Sequence, residues 1–515
     1  MKKSLVFSVL AALAAAGFAG EGLGVADPRS PRVRTDAERN ATTLNVGFRR
    51  IGTISPKSAR EVGPSNWSTD AGSVDRDFTD FEKFKSYLPQ LGIRRIRVQS
   101  GWAKCERTKG VLDVDWLDRI VDWCNKNGME VLLELSYGNP IYPGGGGAGL
   151  RDGIPNTSEG LAAWDRWVGF LAGHFKGRVR EWAMWNEPDV ENANAPEAIV
   201  AFNVRSARIL RHCIPDARIH GLSLAQNSPE YLETCLKLFG DDVKLFDTFI
   251  YHGYLNNPDR SYLNVERQKA VVAKYAPHAV LRQGENGAPS EWLDRFALNG
   301  HPWSEVSQAK FALRRMLGDL GHDVESGLFC FVDIHYGPPT FPLRFSNRKG
   351  YLMTNTRHEV VRIRRVYYAV QNAVSLFAPS LTRVREPQMS LTDRTVSLYE
   401  YRTKEDIPLV TFWSHGTVAF DRVNTWDAAE PTARILNDAP TDSFETRGLT
   451  FSWAGDRPFA DPVWIDVFTG AVYAFPPDRQ VIHSEGVVFA EVPVYDSPCV
   501  LTERAAVDMV PYETK

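Results

Sequence analysis

Two glutamates in this chain end short apolar segments, where a carboxylate can do acid–base or nucleophilic chemistry. Glu187 lies in Glu-Trp-Ala-Met-Trp-Asn-Glu-Pro-Asp at 181–189, and Pro188 follows it directly. Because proline cannot donate to a sheet ladder, we expect a strand that stops at Asn186 and leaves Glu187 at its C-terminal tip. Glu285 ends a second apolar segment, Ala-Val-Leu-Arg-Gln-Gly-Glu at 279–285. The pattern predicts two carboxylates, each at a strand end.

The segments around these glutamates alternate between strand and helix patterns from about residue 43 to 377. Short runs rich in Val, Ile, Leu and Phe predict strands at 43–49, 94–100, 130–136, 180–186, 217–222, 246–252, 279–284 and 327–333. Helical patterns lie at 80–91, 114–127, 158–175, 196–213, 229–239, 265–275, 304–320 and 359–377. Eight such pairs predict the α/β class with a (β/α)8 TIM barrel. A doubly wound open sheet is the alternative, although no Gly-rich nucleotide loop follows the first strand.

The barrel prediction places the two glutamates opposite each other. Glu187 ends the fourth predicted strand and Glu285 the seventh. Strands four and seven lie across a small barrel, and catalytic residues of such barrels sit at the C-terminal strand ends. We therefore expect both carboxylates to reach one central cleft.

The chain is expected to divide into four parts. Residues 1–20 resemble a signal peptide, 21–42 a loose polar arm, 43–378 the barrel, and 379–515 an antiparallel β-sandwich built from short strands between Gly, Pro, Asn and Asp clusters. Lys2 and Lys3, an apolar run at 5–16 and small residues at 17–20 predict export, hence a secreted or periplasmic protein. An uncleaved anchor is the rival interpretation. No integral membrane segment is expected after signal removal.

Composition excludes several classes of function. The 515 residues are 43% hydrophobic, and the formal net charge of −3 gives a nucleic-acid partner no electrostatic support. The six cysteines show no metal-ligand spacing, and a Cys213–Cys235 bridge is conceivable. A metal-dependent hydrolase would draw on His220, His252, Asp333 and His335, which form no His-x-His pair. No metal or cofactor is expected, and the oligomeric state is left open.

Paired carboxylates in a cleft are the minimal apparatus for glycoside hydrolysis, with a carbohydrate as substrate. One carboxyl must stay protonated to protonate the leaving oxygen, while the other must be ionised as nucleophile or base. A gap of about 5–5.5 Å between them implies retention of anomeric configuration, and about 6.5–9.5 Å implies inversion.

The motifs also resemble a known group of enzymes. Asn-Glu-Pro at the fourth strand end and Glu at the seventh are similar to clan A of the glycoside hydrolases, which are retaining (β/α)8 enzymes. Trp-Asn-Glu-Pro-Asp, the added β-sandwich and His-x-Tyr at the sixth strand end resemble family 39, which contains β-xylosidases and α-L-iduronidases. The resemblance implies that Glu187 is the acid/base, Glu285 the nucleophile, and Asn186 a partner of the sugar 2-hydroxyl. The chain departs from the clan in lacking a tryptophan at the end of strand eight, where Phe331 stands in Phe-Val-Asp-Ile-His-Tyr.

Other polar and aromatic residues near predicted strand ends are candidate substrate contacts. They are Asn186, His252, Tyr254, Gln99, Trp102, Tyr137 and Asn139. Tyr254 is expected to orient the nucleophile, His252 to steady the acid/base or bind sugar, and Trp102 to stack on a sugar. Arg97, beside Gln99 on one strand face, is expected to contact substrate or nucleophile.

Three long loops are expected to crowd the same barrel face, at 137–156, 286–303 and 336–351. Arg344 and Arg348 in the third are conceivable contacts for a uronate or sulfate. A non-catalytic carbohydrate-binding protein on the same scaffold is the alternative function.

Overall fold

The computed structural model describes residues 46–337, 345–377, 380–419, 446–484 and 486–512. Eight parallel strands close into a barrel, which confirms the predicted fold class. In chain order they are Trp67–Asp70, Arg95–Gln99, Glu130–Glu134, Glu181–Ala183, Arg218–Leu224, Thr248–Tyr251, Val280–Asn286 and Glu325–Leu328. We number them barrel strands one to eight. All but a few of their side chains are buried, as expected for strands covered on both faces.

The strand predicted first, at 43–49, is wrong. Barrel strand one is Trp67–Asp70, which pairs in parallel with strands two and eight. The segment Arg49–Ile54 instead pairs antiparallel with Ala471–Ala474 and Met509–Pro511. The barrel expected over 43–378 therefore begins with a strand that belongs to a C-terminal sheet.

Helices surround the barrel. They are Ala59–Val62, Phe81–Phe84, Trp102–Cys105, Asp115–Lys126, Ser158–His174, Pro196–Cys213, Pro229–Phe239, Tyr262–Tyr275, Glu305–Gly321 and Arg365–Leu376. The helix predicted at 80–91 breaks into one α-turn and two 3₁₀ turns, and Pro89 begins the second of them. The helix predicted at 359–377 begins only at Arg365, because Val360–Ile363 pairs with Leu352–Thr354 as a hairpin.

The C-terminal region contains two antiparallel sheets, as predicted for a sandwich. The first has eight strands in the order Thr382–Val384, Val396–Arg402, Pro408–Ser414, Cys499–Glu503, Pro462–Asp466, Ala471–Ala474, Arg49–Ile54, Met509–Pro511. The second runs Met389–Ser390, Arg447–Trp453, Gly486–Val494, Gln480–His483. Rings pack between the sheets, with Phe412 and Phe451 centred 4.8 Å apart. Aromatic burial of this kind supplies most of a sandwich core.

The barrel and the sandwich are joined by buried polar contacts. Asp259, which follows strand six, accepts hydrogen bonds from Arg314 Nε of the barrel at 2.8 Å and from Trp413 Nε1 of the sandwich at 2.8 Å. Lys310 pairs with Asp496 of the sandwich at 2.6 Å. These charges are satisfied across the interface, so the two parts are held in one orientation.

Two further sequence questions are answered by the described residues. All six cysteines are unpaired, so the conceivable Cys213–Cys235 bridge does not form. Within the described ranges, no helix is both long enough and apolar enough to cross a bilayer. The predicted signal segment 1–20 and arm 21–42 lie outside the described residues.

Candidate active site

Glu187 lies at the C-terminal end of the barrel, just beyond strand four. The strand ends at Ala183, three residues before the predicted end at Asn186. Glu187 has a left-handed backbone, with φ of +46°, and its N–H donates to Ser223 O at 2.9 Å. Asp189 accepts from the backbone N–H groups of Ala225 and Gln226 at 2.8 and 3.3 Å. A non-glycine residue keeps this conformation only where its surroundings hold it, as the end of strand five does here.

Glu285 is the second-to-last residue of strand seven, Val280–Asn286, and its side chain faces the same cleft. Its Oε1 accepts from the Tyr254 hydroxyl at 2.9 Å, and its Oε2 accepts from Arg97 Nη1. Burial alone would raise the pKa of this carboxyl, but Arg97, His252 and Tyr254 outweigh it and lower the pKa below its ordinary value. Glu285 is therefore held ionised at neutral pH.

The two glutamates approach each other as expected from their positions on strands four and seven. One carboxylate oxygen of each, together with a ring nitrogen of His252, lie within 4.8 Å of one another. His252 Nδ1 is 2.7 Å from Glu187 Oε1. Burial would lower the pKa of His252, but the charges of Glu285 and Glu187 raise it overall. The nearest oxygens of the two carboxyl groups are thus close enough for both groups to reach one glycosidic bond.

Arg97 on strand two donates hydrogen bonds to the nucleophile and to three other side chains. Its Nη1 donates to Asp70 Oδ2 at 3.0 Å as well as to Glu285. Its Nε donates to Glu134 Oε2 at 2.9 Å and its Nη2 to Asn186 Oδ1 at 2.5 Å. A guanidinium with both edges occupied has a fixed orientation, so it fixes the nucleophile as well.

Most of the remaining predicted substrate contacts do lie at the cleft. Asn186 donates to the Tyr137 hydroxyl at 2.7 Å, and Gln99 accepts from Arg76 at 2.6 Å. Asn186, Tyr137, Gln99 and Tyr254 all line the cleft beside the two glutamates. His252 reaches it through Glu187.

Trp102 and Asn139 are not brought to the cleft. Trp102 is 0% exposed and stacks on Trp167 with ring centroids 5.8 Å apart, so it cannot present a face to a sugar. It begins the helix Trp102–Cys105, and the in–out alternation of strand two does not continue to it. Asn139 donates to Glu106 O at 2.7 Å and lies among the backbone of the Gly-rich loop. The stacking role predicted for Trp102 is wrong because the side chain packs into the helix layer.

A cavity of about 790 Å³ opens above the glutamates. The three long loops predicted at this face supply much of its wall, through Leu150, Arg151, Asp294, Arg295, Phe296, Ala297, Asn299, Tyr336, Phe345, Asn347 and Lys349. The volume suits one to a few sugar rings, since ligand pockets of small molecules span about 300–1,000 Å³.

Several solved structures have a similar overall fold. A family 39 glycoside hydrolase from the gut symbiont Bacteroides cellulosilyticus WH2 aligns with a TM-score of 0.60 at 16% identity, over 88% of this chain and 83% of that one. A monomeric β-xylosidase from Caulobacter crescentus CB15 aligns with a TM-score of 0.51 at 15% identity, over 88% and 97%. A family 30 endoxylanase from Clostridium papyrosolvens C71 aligns with a TM-score of 0.52 at 10% identity, over 88% and 97%. No family model and no curated protein matches the chain.

The chain has the fold of a family 39 glycoside hydrolase. The resemblance stated from the sequence is thus confirmed at the level of structure, with low sequence identity.

Within this family 39 fold, strand eight ends at Leu328 rather than at 333 as predicted. The residue at its tip is therefore Phe329, which is half-buried and lines the cavity, and not Phe331, which is fully buried. An aromatic side chain therefore lines the cavity at the end of strand eight, but it is Phe329 and not the expected Phe331.

Sequence reasoning missed several other residues that line the cavity, notably Asp70, Arg76 and Lys349. Asp70 ends strand one, which was itself assigned to the wrong segment. Lys349 comes 64 positions after Glu285 in a long loop, where no periodicity marks it. The acidic residue directly after Trp67-Ser-Thr was the one sequence feature that could have indicated Asp70.

The candidate metal ligands have other partners. His220 contacts Glu181 at 3.2 Å, Asp333 accepts from Arg364 at 2.7 Å, and His335 contacts Ser346 at 2.8 Å. Arg348 also pairs with Asp333, at 3.1 Å, and does not line the cavity, while Arg344 lies outside the described residues. Asp333, His335 and their partners form a polar cluster after strand eight, whereas His220 lies on strand five and contacts strand four.

Lys349 gives a prediction about stability. It is 1% exposed, and burial lowers its pKa from 10.5 to about 7. Below pH 7 the amine is charged in both the folded and the unfolded chain, so the folded state carries the full cost of a buried charge. Between pH 7 and 10.5 the folded amine is neutral while the unfolded one is charged, and the cost disappears as pH rises.

Lys349→Met should therefore raise the melting temperature at pH about 6, and the gain should shrink toward pH about 10. Differential scanning calorimetry at both pH values measures this. Lys237→Met, at a lysine whose side chain is 58% exposed, is the control and should change little at either pH. A gain that grows with pH would contradict the predicted charge state.

Proposed function

We propose that this protein is a retaining glycoside hydrolase that cleaves O-glycosidic bonds by double displacement. The observation that carries the proposal is the pair of buried glutamates on strands four and seven, with carboxylate oxygens within 4.8 Å beneath the cavity. The fold shared with family 39 enzymes supports it as analogy. The chemistry rests on the pair itself.

The two glutamates have different environments and hence different roles. Glu285 accepts from Arg97 and Tyr254, which favour the ionised form and make it the nucleophile at the anomeric carbon. Among the described residues no arginine donates to Glu187, which contacts His252 instead, so it lacks the fixed positive partner that Glu285 has. Glu187 protonates the leaving oxygen, and Glu285 forms a glycosyl ester. Glu187 then removes a proton from the water that cleaves the ester.

Asn186 is oriented for a substrate contact. Its Oδ1 is held by Arg97 and its Nδ2 donates to the Tyr137 hydroxyl. The side chain lines the same cavity as the two glutamates, and we propose that it contacts the sugar 2-hydroxyl there. A hydrogen bond there strengthens as the transition state develops.

We further propose a β-xylosidase-like activity on oligo- or polysaccharides, acting outside the cytoplasm. The shared fold with a β-xylosidase supports the first part, and the sequence of residues 1–20 supports the second. Fractionation of expressing cells tests the location, and recovery of the protein in the cytoplasm alone would contradict it.

Activity on a panel of aryl glycosides, with product anomers followed by NMR, tests the central proposal. The first product anomer should have the configuration of the substrate. Inverted products would overturn the retaining mechanism. Binding of sugars without turnover of any panel member would instead favour a carbohydrate-binding protein.

Tyr254→Phe tests how the nucleophile is oriented. The variant loses the 2.9 Å hydrogen bond to Glu285 Oε1 but keeps the aromatic ring. A hydrogen bond to a charged group contributes about 1.5–3 kcal/mol, so kcat/KM should fall roughly 10- to 100-fold. Tyr231→Phe, at a tyrosine of a helix outside the cavity, should leave kcat/KM unchanged. An equal fall in both variants would mean that the loss reflects stability.

A further inference from the structure

A third carboxyl group shares the arginine that holds the nucleophile. Asp70 ends strand one, is 6% exposed and lines the cavity. Its Oδ1 accepts from Gly72 N–H at 2.6 Å, and its Oδ2 accepts from Arg97 Nη1 at 3.0 Å. The same Nη1 donates to Glu285 Oε2. Asp70 and Glu285 therefore depend on one nitrogen for their charge-assisted bond.

The Arg97 guanidinium cannot reorient when the charge of one of its partners changes. Glu134 Oε2 lies 2.9 Å from Nε and 2.8 Å from Nη2, and Asn186 occupies the rest of Nη2. The guanidinium is fixed by both edges, so Asp70 and Glu285 share the same Nη1 whichever of them carries a proton.

The charges around Arg97 do not balance when every acid is ionised. Four titratable groups on different elements interact electrostatically with Asp70. They are Arg97 on strand two, Glu134 on strand three, Glu285 on strand seven and Cys330 after strand eight. The one cation bonded directly to these acids would then face three buried carboxylates, which is costly away from water. The nearest other titratable base, His252, contacts Glu187. Burial raises the pKa of Cys330 well above its ordinary value, so the thiol stays neutral. Burial raises the pKa of Glu134 as well as that of Asp70. Glu134, however, accepts from both Arg97 Nε and Nη2 and from Ser136, whereas Asp70 has only a shared Arg97 nitrogen and one backbone N–H. We therefore place the excess proton on Asp70.

We propose that Asp70 is a positioning residue that exchanges a proton with solvent in step with the nucleophile, protonated while Glu285 is ionised and ionised while Glu285 is a glycosyl ester. The inference rests on the proposed retaining function. Burial first, and then the charges of Glu285 and Glu134, raise the pKa of Asp70 to about 7 against the effect of Arg97. Glu285 loses its negative charge when it forms the ester, and the repulsion that kept the proton on Asp70 is removed.

The protons and electrons balance over the cycle. In the first step a Glu285 oxygen forms the bond to the anomeric carbon, the bond to the leaving oxygen breaks as Glu187 gives that oxygen its proton, and Asp70 releases its own proton through the cavity. In the second step water attacks, Glu187 takes the proton from that water, and Glu285 leaves as a carboxylate. Asp70 then regains a proton from solvent. The net charge around Arg97 stays constant.

Proton release during trapping of the ester tests the proposal. The probe is a 2,4-dinitrophenyl 2-deoxy-2-fluoro glycoside of the sugar that the panel identifies, because dinitrophenolate leaves as the anion and needs no acid. Glu187→Gln is the background, since it removes the proton of the acid/base itself. At pH about 6 in weak buffer, a pH indicator should record about one proton per adduct. Glu187→Gln combined with Asp70→Asn should release none, and combined with Asp70→Glu should restore the release.

The outcomes distinguish failure of the Asp70 proposal from failure of the proposed glycosidase function. If mass spectrometry finds no adduct on Glu285 in the wild-type protein, the proposed function fails. If adducts form but Asp70→Asn releases the same proton, the source is another group such as His252, and the inference is overturned. If the double variant does not react, infrared difference spectra of Glu187→Gln decide. Loss of a protonated-carboxyl band on trapping supports Asp70, and a persistent band contradicts it.

Discussion

Glu285→Ala should lower kcat on an aryl glycoside by roughly 10⁵- to 10⁶-fold, the range expected when the nucleophile of a covalent mechanism is removed. The variant keeps Arg97 and Tyr254 in place but leaves nothing to attack the anomeric carbon. It also leaves a space at the strand end in which a small anion fits. Steady-state kinetics measure the loss.

Sodium azide should restore part of the turnover by filling that space. Azide then attacks from the side of the missing carboxylate in one displacement, so the glycosyl azide should have the opposite anomeric configuration to the substrate. Glu291→Ala, at a glutamate six residues further on that does not line the cavity, is the control and should retain activity. A glycosyl azide of unchanged configuration would assign Glu285 to the acid/base role instead.

The positions of the two glutamates could be predicted from the sequence, because a proline or an apolar run marks the end of each strand. Pro188 marks where strand four must have ended, and the apolar run before Glu285 marks strand seven. Both glutamates therefore fell at the right end of the barrel. The strand itself stops earlier, at Ala183, and the left-handed backbone of Glu187 could not be predicted from the residue pattern.

Strand one shows why pairing partners were harder to predict than strands. Arg49–Ile54 has an ordinary strand pattern, and its partners Ala471–Ala474 lie more than 400 residues away. Trp67–Asp70 carries three polar residues in four, so it lacks the apolar run expected of a barrel strand. Asp70 was missed with it, although it shares Arg97 with the nucleophile.

Residues beyond strand ends depend on packing that the sequence does not encode locally. Trp102 follows strand two closely, but a helix begins there and turns the ring against Trp167. Lys349 reaches the cavity from a loop after strand eight and lies 5.6 Å from the centre of the Tyr254 ring. Only the closed barrel brings such residues together.

Glu187→Gln should have an effect that depends on the leaving group. With an unactivated alkyl or sugar leaving group, kcat/KM should fall about 10²- to 10⁴-fold, because no acid protonates the departing oxygen. With dinitrophenolate, which departs without a proton, kcat/KM should change little. The glutamine is close in shape to the glutamate and still contacts His252, so the cleft is preserved.

The second half of the reaction should reveal the other role of Glu187. Without a base to activate water, the glycosyl ester on Glu285 is hydrolysed slowly, and a dinitrophenyl substrate should give a burst of dinitrophenolate equal to the enzyme concentration. Stopped-flow absorbance measures the burst. Glu191→Gln, at an exposed glutamate four residues further on that pairs with Arg151, is the matched control and should show no such dependence. Equal losses on both substrates would mean that Glu187 does not transfer the proton, since an acid/base must matter most where the leaving group needs it most.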